Sequence, residues 1–142
     1  MILADAGFFY ALVDADDAWH ARAVQALPTQ EEGWITTWPV LTEATHLIQR
    51  WLGVDAAHAL LRDVAAGGIA VWQWDMPQTE RLAHLMERYA SLPMDLADGS
   101  LVLLAEHLGH GRILTTDERD FGAYRFKSCE PFQNLLAQGP HG

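Results

Sequence analysis

Four acidic residues fall at the ends of strand-like runs or in the first turns of helical patterns. They are Asp5 after Met1-Ile2-Leu3-Ala4, Glu43 in Leu41-Thr42-Glu43, Asp98 in Met94-Asp95-Leu96-Ala97-Asp98, and Asp117 after Leu114-Thr115-Thr116. Carboxylates that converge repel one another, so a cluster persists only if some stay protonated or a cation binds among them. An all-oxygen donor set suits Mg²⁺ or Mn²⁺, and Mg²⁺ takes one or two carboxylates while keeping several waters. Such a metal polarises a phosphoryl oxygen, lowers the pKa of an attacking water and orients the scissile group. The acids therefore point to metal-dependent phosphodiester hydrolysis, which needs no Cys, His or Ser nucleophile.

Each acid also has a purely structural duty open to it. Asp5 and Asp95 stand at N-cap positions, Asp98 complements a helix dipole, Asp117 and Asp120 suit a turn and its cap, and Glu43 suits a solvated helix face. No single acid decides between the two roles; the joint pattern carries the argument.

The elements that would position these acids alternate between short strands and helices, the rhythm of a parallel sheet with helices packed on it. Strands are expected at 1–4, 34–36, 69–74 and 112–115, with a last short one at 126–129. Helices are expected at 6–13, up to 26 from the turn at 14–17, at 39–52, at 56–66, around Leu82, Leu85, Met86 and Tyr89, and from the Asp95 cap to Leu108. The fold class is α/β, a three-layer α/β/α domain with a central, mainly parallel sheet of four to five strands. In such sheets ligands bind beyond the carboxyl ends of the strands, the edge to which parallel crossovers return every helix start.

The chain has 142 residues, the size of one domain, with 50% hydrophobic and 20% charged residues, which excludes a disordered chain. A domain over 1–130 and a C-terminal tail over 131–142, mobile at 139–142, are expected. No apolar run approaches the roughly 20 residues of a membrane helix. The N-terminus lacks the basic region of a signal peptide, so a cytoplasmic protein is expected. The single cysteine, Cys129, excludes an intramolecular disulfide and lacks an evident base; a small, partly buried side chain is expected there. The net charge of −10 fits carboxylates kept for metal, or a basic partner, better than long-range attraction to nucleic acid.

Other signals are set aside. Glu43-Ala44-Thr45-His46 has di-iron spacing but no second copy, and Glu106, His107 and His110 fall at a helix end. Trp38 and Trp51 share one helix and are expected in the core, whereas Trp72 and Trp74 fit either the core or a partner surface.

The blocks around Asp5-Ala6, Leu41-Thr42-Glu43, Met94 to Leu101 and Leu114-Thr115-Thr116-Asp117-Glu118-Arg119-Asp120-Phe121 resemble, in order, those of PIN-domain ribonucleases. They are most similar to the VapC-type toxins of prokaryotic toxin–antitoxin modules, over residues 1 to about 129. The resemblance implies an acidic quartet of Asp5, Glu43, Asp98 and Asp117 around Mg²⁺ or Mn²⁺, with Asp5, Asp98 and Asp117 as ligands and Asp5 and Asp98 the most direct. Glu43 would complete the shell or orient the attacking water, with Asp120 and Thr116 in support. It also implies an RNA substrate, a homodimer and a small antitoxin partner.

Gly99 stands where the family usually has alanine, and Ala6-Gly7 where it has a polar pair, which removes a side chain near the metal. Two other readings are thus a catalytically quiet PIN-like RNA- or protein-binding module and a phospho-receiver-like domain using Asp75. An RNA-cutting role expects Arg112, Arg119, Arg125 and Lys127 to gather at the active edge of a dimer.

Overall fold

The computed structural model describes residues 1–29 and 31–137. Its five-stranded sheet is built from β1 (Ile2–Ala4), β2 (Trp34–Thr37), β3 (Ala70–Trp72), β4 (Arg112–Leu114) and a last strand, Gln133–Asn134. The order is β3-β2-β1-β4 followed by that last strand, and every pairing is parallel. Helices flank the sheet in the expected three-layer α/β/α arrangement.

The short strands are continuous apolar runs, as expected of strands covered on both faces. Ile2, Leu3, Ala4, Ile113 and Leu114 are all buried. α1 (Ala6–Val13) starts at once because the Asp5 side chain caps it, and α2 (His20–Gln25) follows before β2. β2 passes directly into α3 (Trp38–Leu52), capped by Thr37 and with Pro39 in its first turn. α4 (Val54–Ala65) and, after β3, α5 (Thr79–Arg88) follow.

α6 (Leu96–Leu108) is the central core helix: Ala97 and the run from Gly99 to Ala105 are buried. A helix apolar nearly all round can only sit inside a domain. Gly109 (φ 81°) ends it in the left-handed conformation, a backbone state that glycine adopts without strain.

The C-terminal third differs from the sequence expectation. Residues 126–129 do not form the last strand of the sheet. They belong to an antiparallel hairpin of β5 (Arg125–Phe126) and β6 (Glu130–Pro131), with Lys127 and Ser128 at positive φ in its turn. The fifth strand of the main sheet is β7 (Gln133–Asn134), inside the segment expected to be a tail. Two-residue strands carry no alternation to read, and this one is held by non-local bonds: the Gln133 N–H donates to Gly111 O (2.8 Å) and the Leu135 N–H to Ile113 O (2.8 Å). The expectation for 139–142 lies outside the described residues.

The tryptophans in α3 correct another expectation, since Trp38 is 42% and Trp51 64% exposed. Trp51 lies under the Arg50 guanidinium, 5.2 Å from its ring centroid, rather than in the core. Cys129 is exposed, because it sits on the hairpin turn.

Candidate active site

Along the carboxyl edge of the sheet, Asp5 follows β1 and Asp117 leads into α7 (Glu118–Ala123), while Glu43 and Asp98 project from the early turns of α3 and α6. A buried hydroxyl link ties those two helix starts together. The Ser100 hydroxyl donates to Ala97 O (2.7 Å), so the 2.6 Å contact with Thr37 has the Thr37 hydroxyl as donor. Thr37 then keeps a lone pair to cap α3, and the elements bearing Glu43 and Asp98 are pinned to each other.

Asp5 is 7% exposed and has partners on both oxygens. Oδ1 accepts the Ala6 N–H at 2.7 Å and Oδ2 accepts the Thr115 hydroxyl at 2.8 Å. The Thr115 oxygen in turn accepts the Asp117 N–H at 3.0 Å, so one buried hydroxyl bridges two of the predicted acids. Asn134 of β7 clamps the same residue: its Oδ1 accepts the Thr115 N–H (3.3 Å) and its Nδ2 donates to Thr115 O (3.0 Å).

Asp98 Oδ2 accepts the hydroxyl of Tyr124 at 3.0 Å, and the Tyr124 ring is completely buried. The Asp98 N–H donates to Asp95 Oδ1 at 2.8 Å, and the Asp95 N–H donates back to Asp98 Oδ2, which forms a capping box. Asp117 Oδ1 accepts the Asp120 N–H at 3.0 Å. Asp5 and Asp117 thus cap α1 and α7, and Asp98 completes the capping box of α6.

Burial raises the Asp5 carboxyl to about 6 despite the Thr115 and Ala6 bonds, and the charges of Asp117 and Asp95 add to the rise. Burial, then the charges of Asp95 and Asp5, push Asp98 up to about 8. Desolvation, then the charges of Asp5, Asp95 and Asp117, push Glu43 up to about 7. Asp120 is also raised, first by burial and then by its bond and repulsion with Asp117. Like charges at one edge thus raise one another, as expected of carboxylates without a cation. The donors are hard oxygens, which suits Mg²⁺ or Mn²⁺ and not a thiophilic metal. Among the described residues no three His, Cys, Asp or Glu side chains stand in a group able to hold a metal.

Thr115, rather than the predicted Thr116, attends the acids. Thr116 packs against α1, where a Cβ at Gly7 would overlap its hydroxyl, so the glycine after Asp5-Ala6 is what admits this residue. A Cβ at Gly99 would press on Leu82 Cδ1 at 2.5 Å, so alanine there would require the Leu82 side chain of α5 to shift.

The predicted basic residues do not gather within the chain. Arg112 begins β4 at the opposite end of the sheet, where it pairs with Glu32. Lys127 lies beside Gly109, at the far end of α6 from Asp98. The Arg125 guanidinium is bonded to the carbonyls of Gly122 and Tyr124. Arg119 alone of the four stands on the acidic edge, in the first turn of α7, where it moderates Asp120. Sequence reasoning missed Thr115, Tyr124 and Asn134. A threonine closing an apolar strand was the one available signal.

Beside the acids an open cleft of about 680 Å³ is lined by Trp38, Thr42, Glu43, His46, Trp74 and Asp95, among others.

Residues 2–127 match the family model of the PIN domain. Ribonuclease VapC26 of Mycobacterium tuberculosis is 27% identical over 124 residues, spanning 87% of this chain and 92% of that protein. The crystal structure of VapC20 of Mycobacterium tuberculosis, described as a toxin that cleaves the sarcin–ricin loop, aligns with a TM-score of 0.78. That alignment covers 92% of this chain and 100% of the other at 23% identity, a likeness of fold.

Proposed function

The chain belongs to the PIN-domain family, and from that premise we propose that it is a metal-dependent endoribonuclease, the toxin of a toxin–antitoxin pair. The observation that carries the reading is the convergence of Asp5, Glu43, Asp98 and Asp117 on one sheet edge, where burial first and the charge of neighbouring acids second raise the carboxyls of Asp5, Glu43 and Asp98 to between about 6 and about 8. Support for RNA as the substrate comes from VapC26, named a ribonuclease, and from VapC20, described as cutting the sarcin–ricin loop.

Asp5, Asp98 and Asp117 would hold Mg²⁺ or Mn²⁺, which when bound supplies an activated water and a polarised phosphoryl oxygen. Thr115 holds the Asp5 carboxylate in one orientation, and Tyr124 does the same for Asp98. Glu43, on the cleft side, would complete the shell or orient the attacking water. Asp120 supports Asp117 through its own N–H. A homodimer, a small antitoxin and a cytoplasmic setting complete the proposal; among the described residues no helix is long and apolar enough to cross a membrane.

The test is cleavage of a mixed RNA panel by partner-free protein with Mn²⁺ or Mg²⁺, using EDTA and Asp98→Asn as controls. Cutting that vanishes in both controls is the expected result. A catalytically quiet PIN-like module is the second reading, favoured by Ala6-Gly7 after Asp5, which leaves no polar side chain there. It would show neither cutting nor metal binding by calorimetry.

A further inference from the structure

The carboxyl edge continues past the acids. Its order is set by the sheet: β3 and β2 lie on one side of β1, and β4 on the other. Trp38 follows β2 directly and Trp74 comes two residues after β3, so the edge runs from two indoles to Asp5 and on to Asp117. Trp38 and Trp74 line both the 680 Å³ cleft and a second one of about 150 Å³ that reaches Trp72. Trp38 is 42% exposed and no part of the core, whereas Trp74 is half-buried, with one side packed against the core. The Trp74 ring is further held in place, because its Nε1–H donates to the Thr79 hydroxyl at 3.1 Å.

Glu43 and Asp95 belong to both the cleft and the acidic cluster, so the two spaces are continuous. Their charge repels a phosphate and tolerates a flat, neutral ring. We propose that this cleft is a nucleobase-stacking subsite, in which Trp38 and Trp74 hold a base of single-stranded RNA while its phosphate lies toward the divalent ion that Asp5, Asp98 and Asp117 would hold. The inference rests on the endoribonuclease reading and deepens it. Stacking on aromatic side chains is tolerant of sequence, because every base has a π-face. It also supplies affinity that an acidic surface of net charge −10 cannot draw from phosphates.

The probe is a fluorescein-labelled pool of random single-stranded RNA ten-mers, measured for binding by anisotropy and for cleavage with Mn²⁺. Trp38→Ala and Trp74→Ala are each expected to weaken binding and raise KM about ten-fold with kcat little changed, and Trp38→Phe to restore most of the loss. Trp51→Ala, remote from the cleft, is expected to behave as wild type. In a cleaved RNA of known sequence, an abasic nucleotide beside the cut should cost a similar factor in wild type and nothing further in Trp38→Ala.

Alanine variants that bind and cut like wild type would overturn the subsite and leave the nuclease standing. So would abasic and Trp38→Ala losses that simply multiply, or a Trp38→Ala variant that loses only inhibition by a protein partner. Tryptophan-dependent binding without any cleavage would instead overturn the nuclease and keep the subsite. A wild type that neither binds nor cuts the pool would overturn both.

Discussion

At the amino end of the parallel sheet, Arg112 of β4 is bonded to Glu32 and holds its carboxyl below the usual range. At the carboxyl end, Asp5, Glu43 and Asp98 are raised by burial and by the charge of neighbouring acids, and no Lys or Arg among the described residues forms an ion pair with them. The same strands run through both ends. One end cancels its charge locally and adds to cohesion, while the other keeps an excess of like charge that opposes folding. Functional edges in proteins commonly keep such tension, and the rest of the domain offsets it. Here the buried run of α6 is the main reserve, with the Thr37–Ser100 link fixing its start against α3.

The contrast breaks most sharply if Asp5 is made neutral. Asp5→Asn keeps a residue able to cap α1, so the fold should survive, yet RNA cleavage should fall on the order of a hundred-fold or more. Glu32→Gln at the other end should leave cleavage unchanged. Parallel cleavage and circular dichroism measurements on both variants check this; similar losses in the two would erase the distinction.

Next comes the hydroxyl that bridges two acids. Thr115→Val should lower cleavage about 10- to 100-fold, as loss of a supporting bond to a metal ligand does. It should also cost about 1–3 kcal/mol of stability, because a buried Asp5 oxygen loses its donor. Denaturant unfolding, with and without Mn²⁺, separates the two effects.

A smaller effect follows from pH. Asp5, Glu43 and Asp98 have folded pKa values of about 6, 7 and 8, above those of the unfolded chain. The native state therefore binds more protons than the unfolded state between about pH 4 and 8, and stability falls as pH rises through that window. The metal-free Tm should drop by several degrees between pH 5 and 8, with Glu43 contributing least because water screens its open side chain. Asp98→Asn should raise the metal-free Tm at pH 8 and flatten the profile. A flat wild-type profile would mean that the carboxylates do not feel one another.

The smallest change is expected at the amino end. Arg112→Gln should move the Tm by about a degree, less in high salt, since the pair is partly exposed. It should not alter the metal response. A large Tm shift there would show that the amino end, too, carries unbalanced charge.

Much of this could be read from the chain. β1, α1, β2, α3 and α6 fall within a few residues of their expected positions, because caps such as Asp5, Asp95 and Gly53 and the apolar periodicity act locally. The hairpin of β5 and β6 and the strand β7 were not legible, because two-residue strands have no period and depend on what lies beside them. The indoles of α3 were misplaced for a related reason: helical spacing gives a face, but not whether another element covers it.

The sequence by itself determined which acids end the strands and open the helices, and hence that they share one edge of a parallel sheet. Capping and strand formation involve residues a few positions apart, so their chemistry is written locally. Only the tertiary structure decided which groups attend those acids. The Thr115 hydroxyl reaches Asp5 across 110 residues, Asn134 reaches back to Thr115 from a separate strand, and Arg112 is carried to the opposite end of the sheet. Those partnerships depend on packing and burial, which no local stretch of sequence contains.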